Sequence, residues 1–431
     1  MADLKKLKNK VLSSRFIKDN FILLIGTLIV NILGFLYHFY IGRALGPESY
    51  GILGAILSLL YVIAIVFNTI QTSLTKFFSN LNATNQHKKI NYLLIKSNKK
   101  LFIYGILITL VFLAFSPLIA SFLKISIKPI IVLSLLIPFS LTLPVVRALL
   151  QGLQKFKGLS INLVLEGISK FSLGVLFVAI GWQVSGAILA IVLSFIIPYI
   201  FGLFQVKSFF RKEKEKVNSS EIYKGTFPVF ITLLLITSMY SIDTLLVKHF
   251  FSDLEAGFYS SVSLIGKILF FGSLSISQVM FPKLVELKSK NQVSKKLFYR
   301  SLALISSVLI FALIIYFLFP ELIIKILFGG LFLPASNLIA PFGLFMALIS
   351  LIYLISLYHL SSNKHGFIYI LLFALVLESA LIYFIHVSLL QIVLMISIIT
   401  FIVFIILLLL VIFEKNEKTK NETLNNNTSL Q

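Results

Sequence analysis

The sequence predicts an all-α membrane protein with about twelve transmembrane helices and both termini in the cytoplasm. Composition is the first of three observations behind this. Hydrophobic residues make up 58% of the 431 positions and charged residues 13%, whereas soluble domains carry roughly 25% charged residues. Second, the apolar residues fall in runs of about the 20 residues needed to cross some 30 Å of hydrocarbon. Third, roughly three quarters of the 38 Lys and Arg fall in the alternate connections that the positive-inside rule places in the cytoplasm. A net charge of +22 distributed in this way serves insertion and attracts anionic lipid headgroups; it argues against nucleic-acid binding.

Residues 1–20 form a basic cytoplasmic terminus. Leu4, Leu7, Val11 and Leu12 lie at helical spacing among Lys5, Lys6, Lys8 and Lys10, which suits either a short helix on the inner membrane surface or a frayed end. The apolar run from Phe21 is too long for a signal peptide, and residues 42–46 offer no small-x-small cleavage site, so an uncleaved first span is expected. The spans are placed at about 21–41, 52–78, 101–123, 130–150, 159–180 and 185–206, then 225–247, 257–282, 301–320, 334–359, 367–387 and 390–413. This gives an amino-terminal six-helix bundle at 21–206 and a cytoplasmic linker at 207–224. A carboxy-terminal six-helix bundle at 225–413 and a cytoplasmic tail at 414–431 follow. Outward connections such as 181–184 and 386–390 are short and poor in charge; inward ones carry the Lys and Arg of 88–100, 211–216 and 288–296.

Several chemistries are excluded. Without cysteine there is no disulfide, thiolate metal site or cysteine nucleophile. No Gly-x-x-x-x-Gly-Lys-Ser/Thr run exists to hold ATP. No acidic DxD or ExD motif occurs in the first outward connection, 42–51, and no large outward domain is present, which argues against a membrane glycosyltransferase, acyltransferase or polymerase. No catalytic residue, metal site or cofactor is expected.

A weak internal repeat runs through the chain. The turn at 42–51 ends on Gly51 before Ile52, and the turn at 248–257 ends on Gly257 before Phe258, an offset of 206. Gln71 and Lys76 match Gln278 and Lys283 at 207, and the inward turn 155–158 matches 363–366 at 208. Parallel repeats of this kind are related by an axis along the membrane normal, with the substrate path between them. Limited turn chemistry could also produce look-alike hairpins.

The run Leu33–Gly34 and then Ile41-Gly-Arg-Ala-Leu-Gly-Pro-Glu-Ser-Tyr-Gly51 resembles the first-hairpin signature of the polysaccharide-biosynthesis flippases. These belong to the superfamily that also holds the MATE drug exporters. Arg147 with residues 151–156 is similar to the family's span-four exit, and Ile242–Asp243 with Gly257, Phe258 and Tyr259 to the opening of its second half. The second-half turn departs from the family form, having Ser252, Asp253, Leu254 and Glu255 in place of Leu-Gly-Pro-Glu. The resemblance implies two six-helix bundles around a central cavity. It also implies a polyprenyl-diphosphate-linked oligosaccharide as cargo, with glycosyltransferases and a polysaccharide polymerase as partners.

Ionisable groups within the hydrocarbon are costly and tend to face a cavity or a partner. Arg147, permanently charged and forked, suits a diphosphate or reaches the interface. Glu166 and Lys170 stand four apart on one helix, in the order that favours an ion pair, with Asn162 one turn before; they form a structural pair or face the cavity. Lys267 lies too deep to reach the interface and is the leading cavity cation. Asp243, Glu378 and, more weakly, His38 are candidates for coupling to H+ or Na+. Asn31 on span one, and Asn68 with adjacent Gln71 on span two, extend polar stripes that line a path or bind helices together. The expected function is alternating-access flipping across the cytoplasmic membrane. The alternative is ion-coupled export of small cationic molecules, as in MATE proteins.

Overall fold

A computed structural model describes residues 2–210, 215, 227–289 and 295–413; the tail 414–431 and most of the linker expected at 207–224 lie outside the described residues. Among the described residues every regular element is a helix, and eleven are long and apolar enough to cross a membrane. The first, α1 (Ala2–Ala83), contains two of the expected spans. Straight, its 62 residues from Ile22 to Ala83 would run about 93 Å, three bilayer cores. It does not run straight. Gly46 has φ +72° and ψ 174°, a conformation open to glycine, and Pro47 then starts the second arm with its φ already helical. A methyl group added at Gly42 would lie 3.5 Å from Tyr50 Cδ2, so the arms fold back on each other. The loop expected at 42–51 is thus a one-residue break between helices, and with α1 counted as two arms the described residues hold twelve segments long and apolar enough to cross.

The chain continues with α2 (His87–Leu123), α3 (Ile127–Ser134), α4 (Leu136–Gly152), α5 (Phe156–Ala179), α6 (Gln183–Gln205) and the short α7 (Lys207–Phe210). The span expected at 130–150 is divided at Leu135. Pro138 has no N–H to give to the Ser134 carbonyl and its ring crowds that carbonyl, so α3 ends there and α4 begins. Then come α8 (Phe227–Phe250), α9 (Asp253–Ser289), α10 (Lys295–Leu318) and α11 (Pro320–Leu327). A 3-10 segment (Gly330–Leu338), α12 (Ile339–Ser361), α13 (Phe367–Phe384) and α14 (Leu389–Ile412) complete the order. The short α11 falls in a connection read as a loop. Pro320 opens it, Glu321 stands at its positive end and Lys325 at its negative end.

Two compact units emerge. The first comprises residues up to Ser263 together with Glu321–Ser336; the second comprises Leu264–Pro320 and Asn337 onward. In the first, small residues let backbones approach, as membrane helices require. Gly174 faces the ring of Tyr37, whose hydroxyl donates to the Ala187 carbonyl at 2.8 Å. The segment 321–336 is held there by Arg43, which donates to the Lys325 and Ile326 carbonyls at the end of α11, and by Phe328 and Phe332 against Tyr50. In the second unit α12 is the buried centre. Gly343 accommodates the Tyr316 ring, and the Tyr316 hydroxyl donates to the Ile265 carbonyl at 2.8 Å. The faces of α2, α10 and α14 turned away from these cores carry exposed Leu110, Leu118, Phe311, Phe317, Ile398 and Phe401, an apolar exterior suited to lipid.

Candidate functional site

The first unit holds a cluster of charged and polar side chains among α4, α5, α6 and α1. Arg147 on α4 is 8% exposed. Its Nε donates to Asn162 Oδ1 at 2.8 Å, and its Nη2 lies 2.6 Å from Glu166 Oε2. Asn162 in turn donates through Nδ2 to the Pro198 carbonyl on α6 at 2.7 Å. It reaches that carbonyl across Gly202, where a methyl group would stand 3.1 Å from Nδ2. Three helices thereby fix one guanidinium. The expected Glu166–Lys170 pair is not the one that forms. Glu166 goes to Arg147, and Lys170 places its ammonium 4.6 Å from the centre of the Tyr37 ring. The forked guanidinium matches a carboxylate better than an ammonium does, while a face-on aromatic ring suits the compact lysine cation.

Asp243 on α8 forms the core of a second constellation in the same unit. It is fully buried, one turn beyond a break in α8 at Tyr240. Tyr259 donates its hydroxyl to Oδ2 at 2.8 Å, and the Thr244 main-chain N–H donates to Oδ1 at 2.6 Å. Further along α8, Lys248 bridges the Leu123 carbonyl at the end of α2 (2.8 Å) and Asp253 (2.6 Å).

The remaining candidates are dispersed. Gln71 donates to Gln151 Oε1 at 3.2 Å and Thr75 shares that acceptor at 3.3 Å, joining span two to α4 near its end. His38 is buried with its ring edge-on to Tyr37. Asn31 and Asn68 are exposed. Lys267 and Glu378 are buried in the second unit, at 3% and 0% exposure. Reading the sequence missed Tyr37 under Lys170 and Tyr259 on Asp243, since partners on other helices leave no mark in spacing. For Tyr259 a signal existed: it stands in the same resembling stretch as Asp243.

The first unit also brings the turns at 42–51 and 248–257, the pair expected to be related by a repeat, into contact. A methyl group at Gly51 would lie 2.6 Å from both the Asp253 carbonyl oxygen and the Gly257 nitrogen, and one at Gly257 would collide with the Pro47 carbonyl. Pro47 and Asp253 are 206 residues apart, as are Gly51 and Gly257. Each contact is therefore the repeat image of the other, the reciprocity of an isologous junction. One turn on, Gly54 abuts Ser260, again its own repeat partner.

Charges buried between the helices of a multi-pass bundle are costly to hold and mark candidate functional positions. The model of the polysaccharide biosynthesis protein family matches residues 16–288, and the chain belongs to that family. An uncharacterized membrane protein of Methanocaldococcus jannaschii is 25% identical over 63% of this chain and 68% of its own length. Stage V sporulation protein B of Bacillus subtilis is 25% identical over 52% of this chain and 45% of its own length. Among solved structures, a MOP superfamily transporter from Pyrococcus furiosus superposes with a TM-score of 0.65 at 16% identity, over 90% of this chain and 92% of that one. A eukaryotic MATE transporter superposes with a TM-score of 0.63 at 15% identity, over 93% and 98%. The fold is that of the MATE-like transporters.

Proposed function

We propose that this protein flips a polyprenyl-diphosphate-linked oligosaccharide across the cytoplasmic membrane by alternating access. The observation that carries the reading is Arg147, a guanidinium positioned by Asn162 and neutralised by Glu166 within a transporter of the polysaccharide biosynthesis family. A diphosphate is the kind of anion that competes with a carboxylate for such a fork. In the empty state Glu166 holds the charge of Arg147; in the loaded state the diphosphate replaces it, with Lys170 as the second cation. The lipid tail stays in the bilayer, and glycosyltransferases and a polysaccharide polymerase act before and after the step.

On this reading the chain is two six-span halves of like orientation, 21–206 and 225–413, with both termini in the cytoplasm. The reciprocal junction at Gly51 and Gly257 supports the repeat, and its separation is the outward opening step. Lys267 belongs to the substrate path. Asp243 and Glu378 are the carboxylates for H+ or Na+ coupling. These two buried carboxylates also favour the competing reading, ion-coupled export of small cations.

Complementation of a flippase-deficient strain tests the proposal. Rescue of surface glycan by the wild type and its loss with Arg147→Ala are expected, at unchanged protein level. Full rescue by the Arg147→Ala, Lys267→Ala double variant would overturn the role of the cations, and drug resistance without glycan rescue would favour the exporter.

A further inference from the structure

Outside the sites above, α2 carries an unusual arrangement at one end of its apolar stretch. Lys96, Lys99 and Lys100 are exposed and, at spacings of three and four, share one helix face. Like charges so placed repel, and among the described residues no carboxylate lies within ion-pair distance of any of them. Two turns earlier the same helix does have such compensation, where Lys89 meets Glu215 at 3.5 Å. The three lysines line a shallow, open groove of about 480 Å³ along one face of α2, with Tyr92 and Tyr104 also in its lining. Both rings take part: Lys96 stands 5.3 Å from the centre of Tyr92 and Lys100 5.3 Å from that of Tyr104. Tyrosines in this position mark the interface between headgroups and hydrocarbon.

Lys99 also borders a second crevice of about 340 Å³, which continues past Asn98 and Tyr199 to the rings of Phe102 and Phe139. Asn98 and Tyr199 are hydrogen-bonded at 3.0 Å, which ties α2 to α6 along this crevice. Beyond the lysines α2 becomes bilayer-facing: Ile103, Leu107 and Leu110 are about half exposed. From Lys100 to Leu107 the helix rises about 10 Å, which sets the lysines at headgroup depth; the crevice begins beside them at Ile95 and Lys99 and reaches Phe102 and Phe139 at its bilayer end.

We infer that this groove is a binding site for an anionic phospholipid, its phosphate on Lys96, Lys99 and Lys100 and one acyl chain in the crevice lined by Phe102 and Phe139. The charge complementarity selects an anionic headgroup, and the aromatic end of the adjoining crevice selects a lipid over a free phosphate. The three lysines are not among the groups that hold Arg147, and the proposal does not depend on the transported cargo.

Native mass spectrometry of the detergent-purified full chain, with phosphatidylglycerol or phosphatidylcholine added, tests this. The wild type should retain phosphatidylglycerol in preference to phosphatidylcholine. The triple variant Lys96→Gln, Lys99→Gln, Lys100→Gln should bind phosphatidylglycerol about tenfold more weakly or worse. A charge-matched control, Lys155→Gln, Lys157→Gln, Lys364→Gln, should bind as the wild type does, with unchanged size-exclusion profiles for both variants. Equal loss in the control would mean diffuse attraction to net charge and overturn the site. Undiminished binding by the first variant would overturn it also, and so would displacement of the lipid by an equal concentration of inorganic pyrophosphate.

Discussion

The junction at Gly51 and Gly257 and the cluster around Arg147 lie in the same unit but are held by opposite means. At the junction the fit depends on missing side chains: carbonyl oxygens of Pro47 and Asp253 occupy the space a Cβ would need. At the cluster the fit depends on side chains present in the right complement, a fork, an amide and a carboxylate from two helices, anchored to a third. The first can be broken by adding one methyl group and cannot be repaired by a neighbouring rotamer. The second tolerates exchange in proportion to how many of its hydrogen bonds survive. A contact made by backbone suits a closure that is either made or parted, and a contact made by charges suits a site that trades one anion for another.

The largest effect should come from the junction. Gly257→Ala places a methyl group against a backbone oxygen, and overpacking of that kind costs about 3 kcal/mol; thermal denaturation of the purified protein should show a clear fall in Tm. Combining it with Gly51→Ala should cost less than the sum of the two, because each relieves the contact the other strains. Additive losses would mean the two glycines are not facing each other. Arg147→Ala comes next. It strands Glu166 and Asn162, and a loss of about 2 kcal/mol is expected, below the 3–5 kcal/mol of fully buried pairs because Glu166 is 22% exposed. Glycan rescue should be abolished with it.

Smaller effects separate the members of the cluster. Glu166→Gln keeps an acceptor for Arg147 while removing the charge, and should cost about 1 kcal/mol. Rescue should survive in part, which distinguishes a neutralising partner from a substrate ligand. Lys170→Met should cost less than about 1 kcal/mol, the worth of a cation over an aromatic ring. If it abolishes rescue while leaving Tm unchanged, Lys170 touches the cargo; if it does neither, the lysine only packs on Tyr37.

The same contrast governs what could be read from the sequence. The crossing segments were legible because run length is local, and so was a turn at 42–51, but not its contraction to a one-residue break at Gly46 before Pro47. The repeat offset was legible as well, and it marks the two glycines that meet. Within a span, only neighbours at three and four positions are visible, so Glu166 suggested Lys170 and concealed Arg147, which comes from another helix. Asp243 was recognised as an intramembrane carboxylate and Tyr259 stood in the same resembling stretch, but their pairing shows only when α9 folds back on α8. The short helix α11 carried its own signals in Pro320, Glu321 and Lys325, yet fell between the spans placed at 301–320 and 334–359.

Reconstituted vesicles give the most direct test of the transport reading. A fluorescent polyprenyl-diphosphate oligosaccharide is placed in both leaflets, and a membrane-impermeant reductant bleaches only the label exposed outside. With the wild type, the label in the inner leaflet should become bleachable over time, and with Arg147→Ala it should stay protected, as in protein-free vesicles. Protection that persists with the wild type, in vesicles where the protein is folded and inserted, would contradict the account.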